Sequence, residues 1–107
     1  QRHYLSAYDF AQALEILSDK ASPGEIYNIA SDLELSNLEV AKLINNLIRK
    51  NINLDNIEFT KDRPFNDSRY AVDDRKIRSL GWKPRYSLYD EIPDIIKWYQ
   101  ENLNWFE

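Results

Sequence analysis

The sequence predicts an α/β fold in which amphipathic helices surround a short parallel sheet. Several segments repeat apolar residues at helical spacing, each behind its own capping signal. Two β-favouring runs lie on either side of one of these helices, and strands joined in that way usually pair in parallel. A sheet of two short strands is marginal by itself in water. We therefore expect the 107 residues to be part of a larger α/β protein.

The first half of the chain predicts two helices with a strand between them. A capping box at 6–9 starts the first helix, which ends before Pro23. Residues 25–30 alternate polar and apolar side chains, as a short strand does. A second capping box, at 36–39, starts a helix that continues to about Asn51. The apolar faces of the two helices comprise Phe10, Ala13, Leu14, Leu17, Val40, Ile44, Leu47 and Ile48.

The second half of the chain begins with a predicted strand at 57–60, followed directly by the charged loop 61–70, KDRPFNDSRY. A short helix comes next. Asp73 or Asp74 caps it, and Gly81 ends it with a proline just beyond.

The last predicted helix follows a third capping box, at 87–90. Pro93 is a difficulty, because a proline in a helix interior removes a backbone hydrogen bond at a cost of about 3 kcal/mol. We expect the regular helix to begin near Ile92, with Pro93 in its first turn; a helix kinked at Pro93 is the alternative. The buried stripe of this helix comprises Ile92, Ile95, Ile96, Tyr99 and Leu103.

Composition excludes several classes of protein. A formal net charge of -4 argues against nucleic-acid binding, which needs a basic surface. The absence of cysteine and the single histidine leave no thiolate or histidine metal site. No apolar run approaches the roughly 20 residues of a membrane span. With two glycines in the chain, there is no glycine-rich phosphate loop. We expect a cytoplasmic protein that binds neither nucleic acid nor membrane.

Three separated segments contain groups suited to an anion. Arg63 in the charged loop and Arg2 near the start present planar forks of donors that match phosphate oxygens. Asn37 lies in the first turn of the second helix, where free N–H groups and the dipole favour negative charge. If the three converge, a diphosphate is well held. The alternative is that arginines pair with neighbouring carboxylates, as Asp67 with Arg69.

The remaining polar and aromatic residues suggest structural roles. Asp9, the pair 73–74 and the pair 90–91 lie at predicted helix starts, where the helix dipole favours carboxylates. His3 is interpreted as a bystander, and four aromatic side chains as packing residues: Tyr4, Trp82, Trp98 and Tyr99. The residues alone therefore show no catalytic set.

An ordered series of motifs gives the chain a family resemblance. The segments R-H-Y-L, G-E-I-Y-N-I, D-R-P, R-Y and L-G-W-K-P stand in the order and spacing of the C-terminal third of nucleotide-sugar 4,6-dehydratases, which are extended short-chain dehydrogenase/reductases. The chain resembles that part of the family over almost its whole length. The specific part of the resemblance is R-P-x-x-D-x-R-Y followed by L-G-W-K-P.

The resemblance implies an organisation and a reaction. Residues 1–107 would form a small C-terminal substrate-binding domain, detached from a Rossmann domain that is absent from this chain. The full-length parent would be a homodimer that uses NAD, removes water from UDP-glucose or dTDP-glucose and yields a 4-keto-6-deoxy sugar nucleotide for rhamnose or deoxysugar biosynthesis. The family's Tyr-x-x-x-Lys pair and NAD-binding turn lie upstream. The isolated chain is therefore expected to bind no NAD and to be inactive.

The resemblance also implies substrate-binding roles, residue by residue. Arg2 matches the arginine that grips the diphosphate, and Asn37 an asparagine that contacts the nucleotide. Asp62, Arg63 and Asn66 match the loop that closes over the nucleotide. Bacterial dTDP-glucose enzymes usually carry Gly-His where this chain has Phe-Asn. The version here resembles plant-type rhamnose synthases, which favours UDP-glucose and leaves dTDP-glucose open. An epimerase or decarboxylase fragment, or a non-catalytic binding module, is the alternative.

Overall fold

The computed structural model describes residues 1–49 and 57–106. These described residues form four helices, two very short strands and a final 3-10 helix. In chain order they are β1 (Arg2–His3), α1 (Ala7–Lys20), β2 (Glu34–Leu35), α2 (Asn37–Arg49), α3 (Arg75–Arg78), α4 (Leu88–Glu101) and the 3-10 helix (Leu103–Phe106).

The sheet differs from the prediction. It has two strands, and β1 pairs with β2 in antiparallel register, with Arg2 opposite Leu35. The predicted parallel sheet is therefore wrong. The two runs that predicted it, at 25–30 and 57–60, adopt no strand. Alternating side chains and β propensity describe a half-buried extended chain, but a strand also requires a neighbour to pair with, which neither run has among the described residues.

The segment 25–32 lies along α3 and is held there by side chains. The Lys76 ammonium donates to the carbonyl of Ile26 at 2.9 Å and forms an ion pair with Glu25. Arg78 donates to the carboxylate of Asp32 at 2.7 Å. Two cations from one short helix thus fix a stretch of extended chain that has no sheet partner in residues 1–49 or 57–106.

Helix α1 begins where its capping signal predicts, because the Ser6 hydroxyl accepts a hydrogen bond from the N–H of Tyr8 at 3.1 Å. Its predicted apolar face is only partly correct. Ala13 is fully buried, whereas Phe10 and Leu14 are 45% and 50% exposed. The buried side of the helix passes instead through Asp9 and Ala13.

The core is small and centres on α1, α3 and the chain that follows α3. Ala13, Ile77 and Trp82 are its buried members. Partly buried apolar side chains pack around them: Leu5, Ile16, Leu17, Tyr27 and Ile29. The radius of gyration is 17.0 Å, against about 13 Å for a compact domain of this length. The fold is thus spread around a core too small to cover all its elements.

Asp9 ties α1 to the segment after α3. Its backbone carbonyl accepts a hydrogen bond from the Trp82 indole at 3.1 Å. Its carboxylate accepts from the N–H groups of Arg85 and Tyr86 at 2.9 and 3.0 Å. The side chain is completely buried, so the role of Asp9 is structural, as predicted. It holds α1 against the segment after α3 through tertiary hydrogen bonds, more than it interacts with the helix dipole.

Helix α2 starts with a reciprocal capping box. The Glu39 carboxylate accepts from the N–H of Ser36 at 2.7 Å, and the Ser36 hydroxyl accepts from the N–H of Glu39 at 3.2 Å. The predicted start is therefore confirmed. The predicted end near Asn51 lies outside the described residues.

The short helix α3 also follows its sequence signals. The carboxylate of Asp73 accepts from the N–H of Arg75 at 3.1 Å, whereas the Asp74 side chain makes no capping bond. Gly81 takes a φ of 97°, a left-handed conformation that glycine adopts at little cost.

Helix α4 begins earlier than predicted. Its first residue is Leu88, and the Ser87 hydroxyl accepts from the N–H of Tyr89 at 3.3 Å. The expected start near Ile92 is wrong, and Pro93 lies inside the helix. The Ser87 carbonyl accepts from both Asp90 and Glu91, so the first turn is well bonded before the proline. The exposed proline ring thus costs one backbone bond within a helix that its cap has already started.

The stripe of α4 is mostly uncovered. Ile92 is buried, whereas Ile95, Tyr99 and Leu103 are 42%, 50% and 67% exposed. With Ile44 and Ile48 of α2, the stripe lines an open apolar groove of about 490 Å³. Along the described chain, no helix has the length and hydropathy of a membrane span.

We expect Asp9→Ala to lower the free energy of unfolding by about 1.5–3 kcal/mol, because it leaves two backbone N–H groups of the 82–87 segment without their charged acceptor. Urea unfolding followed by circular dichroism measures the loss. Asp19→Ala, an exposed carboxylate removed from the same helix, is the matched control and should change stability by less than about 0.5 kcal/mol. Equal losses of unfolding free energy in the two variants would show that the buried hydrogen bonds of Asp9 contribute no particular stability.

Candidate functional site

Strand β1 lies between two other segments. Leu35 of β2 pairs with Arg2 on one side. On the other side, the Gln1 nitrogen donates to the carbonyl of Ser68, and the Gln1 carbonyl accepts from the N–H of Tyr70 at 3.2 Å. The end of the charged loop and the start of α2 are thus brought to the same short strand.

Arg2 lies against the charged loop. Its guanidinium is 4.1 Å from the centre of the Tyr70 ring, a cation–π geometry. One of its nitrogens donates to the Asp67 carbonyl at 3.3 Å, and another to the Gln1 carbonyl at 2.8 Å. These acceptors are neutral, so the positive charge of Arg2 is not cancelled by a carboxylate partner among the described residues.

Asn37 is the first residue of α2 and follows Leu35, the β2 residue paired with Arg2, by two positions. The Tyr4 hydroxyl donates to its side-chain oxygen at 2.8 Å. Because the Glu39 N–H is already bonded to Ser36, the first-turn N–H groups without a partner among the described residues are those of Asn37 and Leu38. The start of α2 therefore offers donors and the positive end of a helix dipole beside β1.

The residues 62–66 form a self-bonded turn. One oxygen of Asp62 accepts from the N–H of Arg63 at 2.8 Å and from the Asn66 amide at 3.0 Å. These bonds, first that of Asn66, and the nearby charges of Arg63 and Arg2 lower the pKa of Asp62. Phe65 has a φ of 62°, the left-handed region that favours glycine. Asp62 and Asn66 therefore shape the turn by bonding to each other.

Arg63 projects from this turn at the surface. Its backbone N–H is bonded to Asp62. Its guanidinium makes no ion pair or hydrogen bond with any residue in 1–49 or 57–106. The arginine that the sequence favours as a ligand is thus available to an anion.

Arg69 does not pair with Asp67, so the predicted pairing is wrong. Its guanidinium binds the Glu34 carboxylate in a bidentate ion pair, with nitrogen–oxygen distances of 2.6 and 2.8 Å. The hydrogen bond and charge of Arg69 lower the pKa of Glu34, and Glu34 raises that of Arg69. The alternative in which arginines serve as ion-pair partners is therefore correct for Arg69.

The geometry adds three residues to the site that the sequence did not assign: Tyr4, Glu34 and Tyr70. Tyr4 contacts a site residue through its hydroxyl, and Tyr70 through its ring. Glu34 and Arg69 are 35 positions apart, and no local pattern connects them.

The described residues show neither a cluster of metal-ligand side chains nor a turn with several glycines. Among them, no three acidic or histidine side chains group to hold a metal. Gly24 and Gly81 occupy separate turns with positive φ, and a dinucleotide fingerprint instead needs several glycines in one turn before a helix. Binding of a nucleotide's phosphates by arginine and a helix start is what the arrangement can do chemically.

The chain has relatives of known class in sequence and in structure. No family model matches the chain. Over nearly its whole length, however, it is similar to nucleotide-sugar 4,6-dehydratases, which confirms the resemblance predicted from its motifs. It matches only a portion of each.

Three relatives illustrate the match. The chain is 38% identical over 109 residues to dTDP-D-glucose 4,6-dehydratase of Bos taurus, covering 97% of this chain and 31% of that protein. It is 34% identical over 108 residues to dTDP-glucose 4,6-dehydratase of Streptomyces niveus, covering 100% and 32%. It is 38% identical over 108 residues to the trifunctional UDP-glucose 4,6-dehydratase/UDP-4-keto-6-deoxy-D-glucose 3,5-epimerase/UDP-4-keto-L-rhamnose-reductase of Arabidopsis thaliana, covering 98% and 16%.

The fold is similar to a solved dehydratase as well. The crystal structure of dTDP-glucose 4,6-dehydratase from Bacillus anthracis in complex with NAD superposes with a TM-score of 0.86 at 30% identity, over 97% of this chain and 32% of that one. The chain thus spans about a third or less of the length of the relatives it matches.

We expect Arg69→Gln to raise the pKa of Glu34 toward its ordinary value of 4.5, because the largest cause of its lowering is the Arg69 hydrogen bond. A lowered pKa means that the ion pair is complete above pH 4.5 and is lost as the pH falls through the lowered value. Titration of carboxyl carbons by NMR measures it. Glu25, whose pKa Lys76 lowers, is the internal control and should not respond. An unmoved Glu34 would contradict the pairing.

Proposed function

We propose that the chain is the nucleotide-sugar-binding portion of an NAD-dependent 4,6-dehydratase that converts UDP-glucose or dTDP-glucose to the 4-keto-6-deoxy sugar nucleotide. The similar proteins support the class of reaction. The observation that carries the binding role is the convergence, at β1, of an arginine with no carboxylate partner, the charged loop and the start of α2.

A diphosphate is the ligand that suits this convergence. Arg2 and Arg63 each present a fork of donors that can bind two phosphate oxygens at once. The first turn of α2 at Asn37 adds backbone donors and the positive end of its dipole. Asp62 and Asn66 would keep the turn that carries Arg63 in shape, as their mutual hydrogen bond does here. Each predicted site residue thus has a physical role in the proposal.

The sequence of the turn supports UDP-glucose over dTDP-glucose. Phe65 and Asn66 stand where bacterial dTDP-glucose enzymes usually carry glycine and histidine. Phe65 takes the left-handed φ that glycine would adopt freely, so the exchange keeps the turn. The base-recognition difference would then come from the side chains at 65 and 66.

The remainder of the parent protein would supply the chemistry. A Rossmann domain outside this sequence would hold NAD, which would supply hydride-transfer chemistry, and would carry the Tyr-x-x-x-Lys pair. The present residues orient the nucleotide so that the sugar reaches that domain. The parent would be a homodimeric lyase of the cytoplasm.

We expect Arg63→Ala in the full-length protein to weaken binding of UDP and dTDP by about ten- to a hundredfold, the usual cost of a lost charge-assisted contact. Arg63→Lys should restore only part of the loss, because an ammonium lacks the bidentate fork. Isothermal titration calorimetry gives the affinities, and circular dichroism confirms folding.

Arg75→Ala is the control for this test, since Arg75 is also exposed but its guanidinium pairs with Asp73. It should leave nucleotide binding unchanged. Equal losses in the two variants would contradict a ligand role for Arg63. Formation of no 4-keto-6-deoxy product from either sugar nucleotide by the wild-type protein with NAD would contradict the proposed reaction itself.

A further inference from the structure

We propose that Glu34 is a positioning residue of the nucleotide site: through its ion pair with Arg69 it holds the charged loop 61–70 against β1 and thereby places Arg63. This inference rests on the proposed function, because it concerns the same ligand. It assigns to Glu34 no contact with the nucleotide.

The Glu34–Arg69 ion pair is a rigid connection, or strut, between β2 and the charged loop. Two parallel nitrogen–oxygen contacts of 2.6 and 2.8 Å join the guanidinium and the carboxylate. A bidentate pair fixes the relative plane of the two groups as well as their distance. The Glu34 side chain is only 18% exposed, whereas that of Arg69 is 60% exposed. The strand therefore provides the fixed end of the strut, and the loop provides the end that is held.

The Glu34–Arg69 ion pair joins two segments that lie on either side of β1. Glu34 lies opposite His3 in the β1–β2 pairing. Arg69 belongs to the segment whose neighbours, Ser68 and Tyr70, hydrogen-bond to Gln1 on the other side of β1. One ion pair thus links the two segments that flank the strand, and it does so beside the cation–π contact of Arg2 with the Tyr70 ring.

The other end of the loop is not held in this way. Residues 57–60 form no strand and make no hydrogen bond with the rest of the described chain, and Phe59 is 81% exposed. The place of Arg63 relative to Arg2 and Asn37 therefore depends on how the 68–70 end is fixed. Within that end, Glu34–Arg69 is the contact between two charged side chains.

A positioning role and a general stabilising role of Glu34 differ in their effects on nucleotide affinity and on stability. Partly exposed ion pairs contribute about 0–1 kcal/mol to stability, so removal of the carboxylate should change the unfolding midpoint little. A displaced loop, in contrast, weakens each nucleotide contact that it carries. Affinity should fall while stability is retained.

The test uses Glu34→Gln in the full-length protein, titrated with UDP and dTDP by calorimetry. We expect affinity to fall by about three- to tenfold, less than for Arg63→Ala, with an unchanged unfolding temperature. Glu25→Gln, which breaks a surface ion pair with Lys76 outside the charged loop, is the control and should bind as the wild type does. If the wild type binds neither nucleotide, the proposed function fails. If the wild type binds and Glu34→Gln binds equally, the positioning role alone fails.

A double-mutant cycle separates positioning from general support. Once Arg63 is alanine, the loop has lost the contact that the strut places, so Glu34→Gln should cost little further affinity. An undiminished cost in the Arg63→Ala background would overturn the inference, because Glu34 would then act independently of Arg63. The double variant Glu34→Arg with Arg69→Glu exchanges the two charges and should recover part of the nucleotide affinity that the single variants lose. A loss of affinity larger than that of either single variant would contradict the positioning role.

Discussion

The fold and the site both depend on the backbone pairing of residues 1–3. A strand directs the N–H and C=O groups of successive residues to opposite sides, so even a two-residue strand can bind a neighbour on each. Here β2 occupies one side and the end of the charged loop the other. Segments more than 30 and 60 positions apart are joined within the length of three residues. Without this pairing, Arg2, Asn37 and the loop would have no fixed relation.

The rest of the fold is held by a few hydrogen bonds between polar side chains and the backbone. The Asp9 carboxylate accepts from the backbone after α3, and Lys76 donates to the backbone of the extended segment before β2. Such bonds satisfy groups that a larger sheet would otherwise pair. They explain how a small core around Ile77 supports a spread chain, while the apolar stripe of α4 is left uncovered.

Local signals were predicted well from the sequence, and long-range pairing was not. The capping serines Ser6, Ser36 and Ser87 all start helices, because a cap depends on residues within one turn. Strand formation depends on a partner that sequence patterns do not identify, so 25–30 was predicted wrongly. For the same reason, the sequence could favour Arg2 and Asn37 as site residues but could not show that they lie together. Nor could it find Glu34 as the partner of Arg69.

The central claim is that the groups around β1 hold the nucleotide. Hydrogen exchange of the full-length protein, measured by mass spectrometry with and without UDP-glucose, tests it most directly, because bound phosphates slow exchange at the amides that they occupy. We predict protection in peptides that contain Arg2, the first turn of α2 and residues 61–70, and none in α4. Protection confined to α4, or none in these peptides at saturating ligand, would contradict the account.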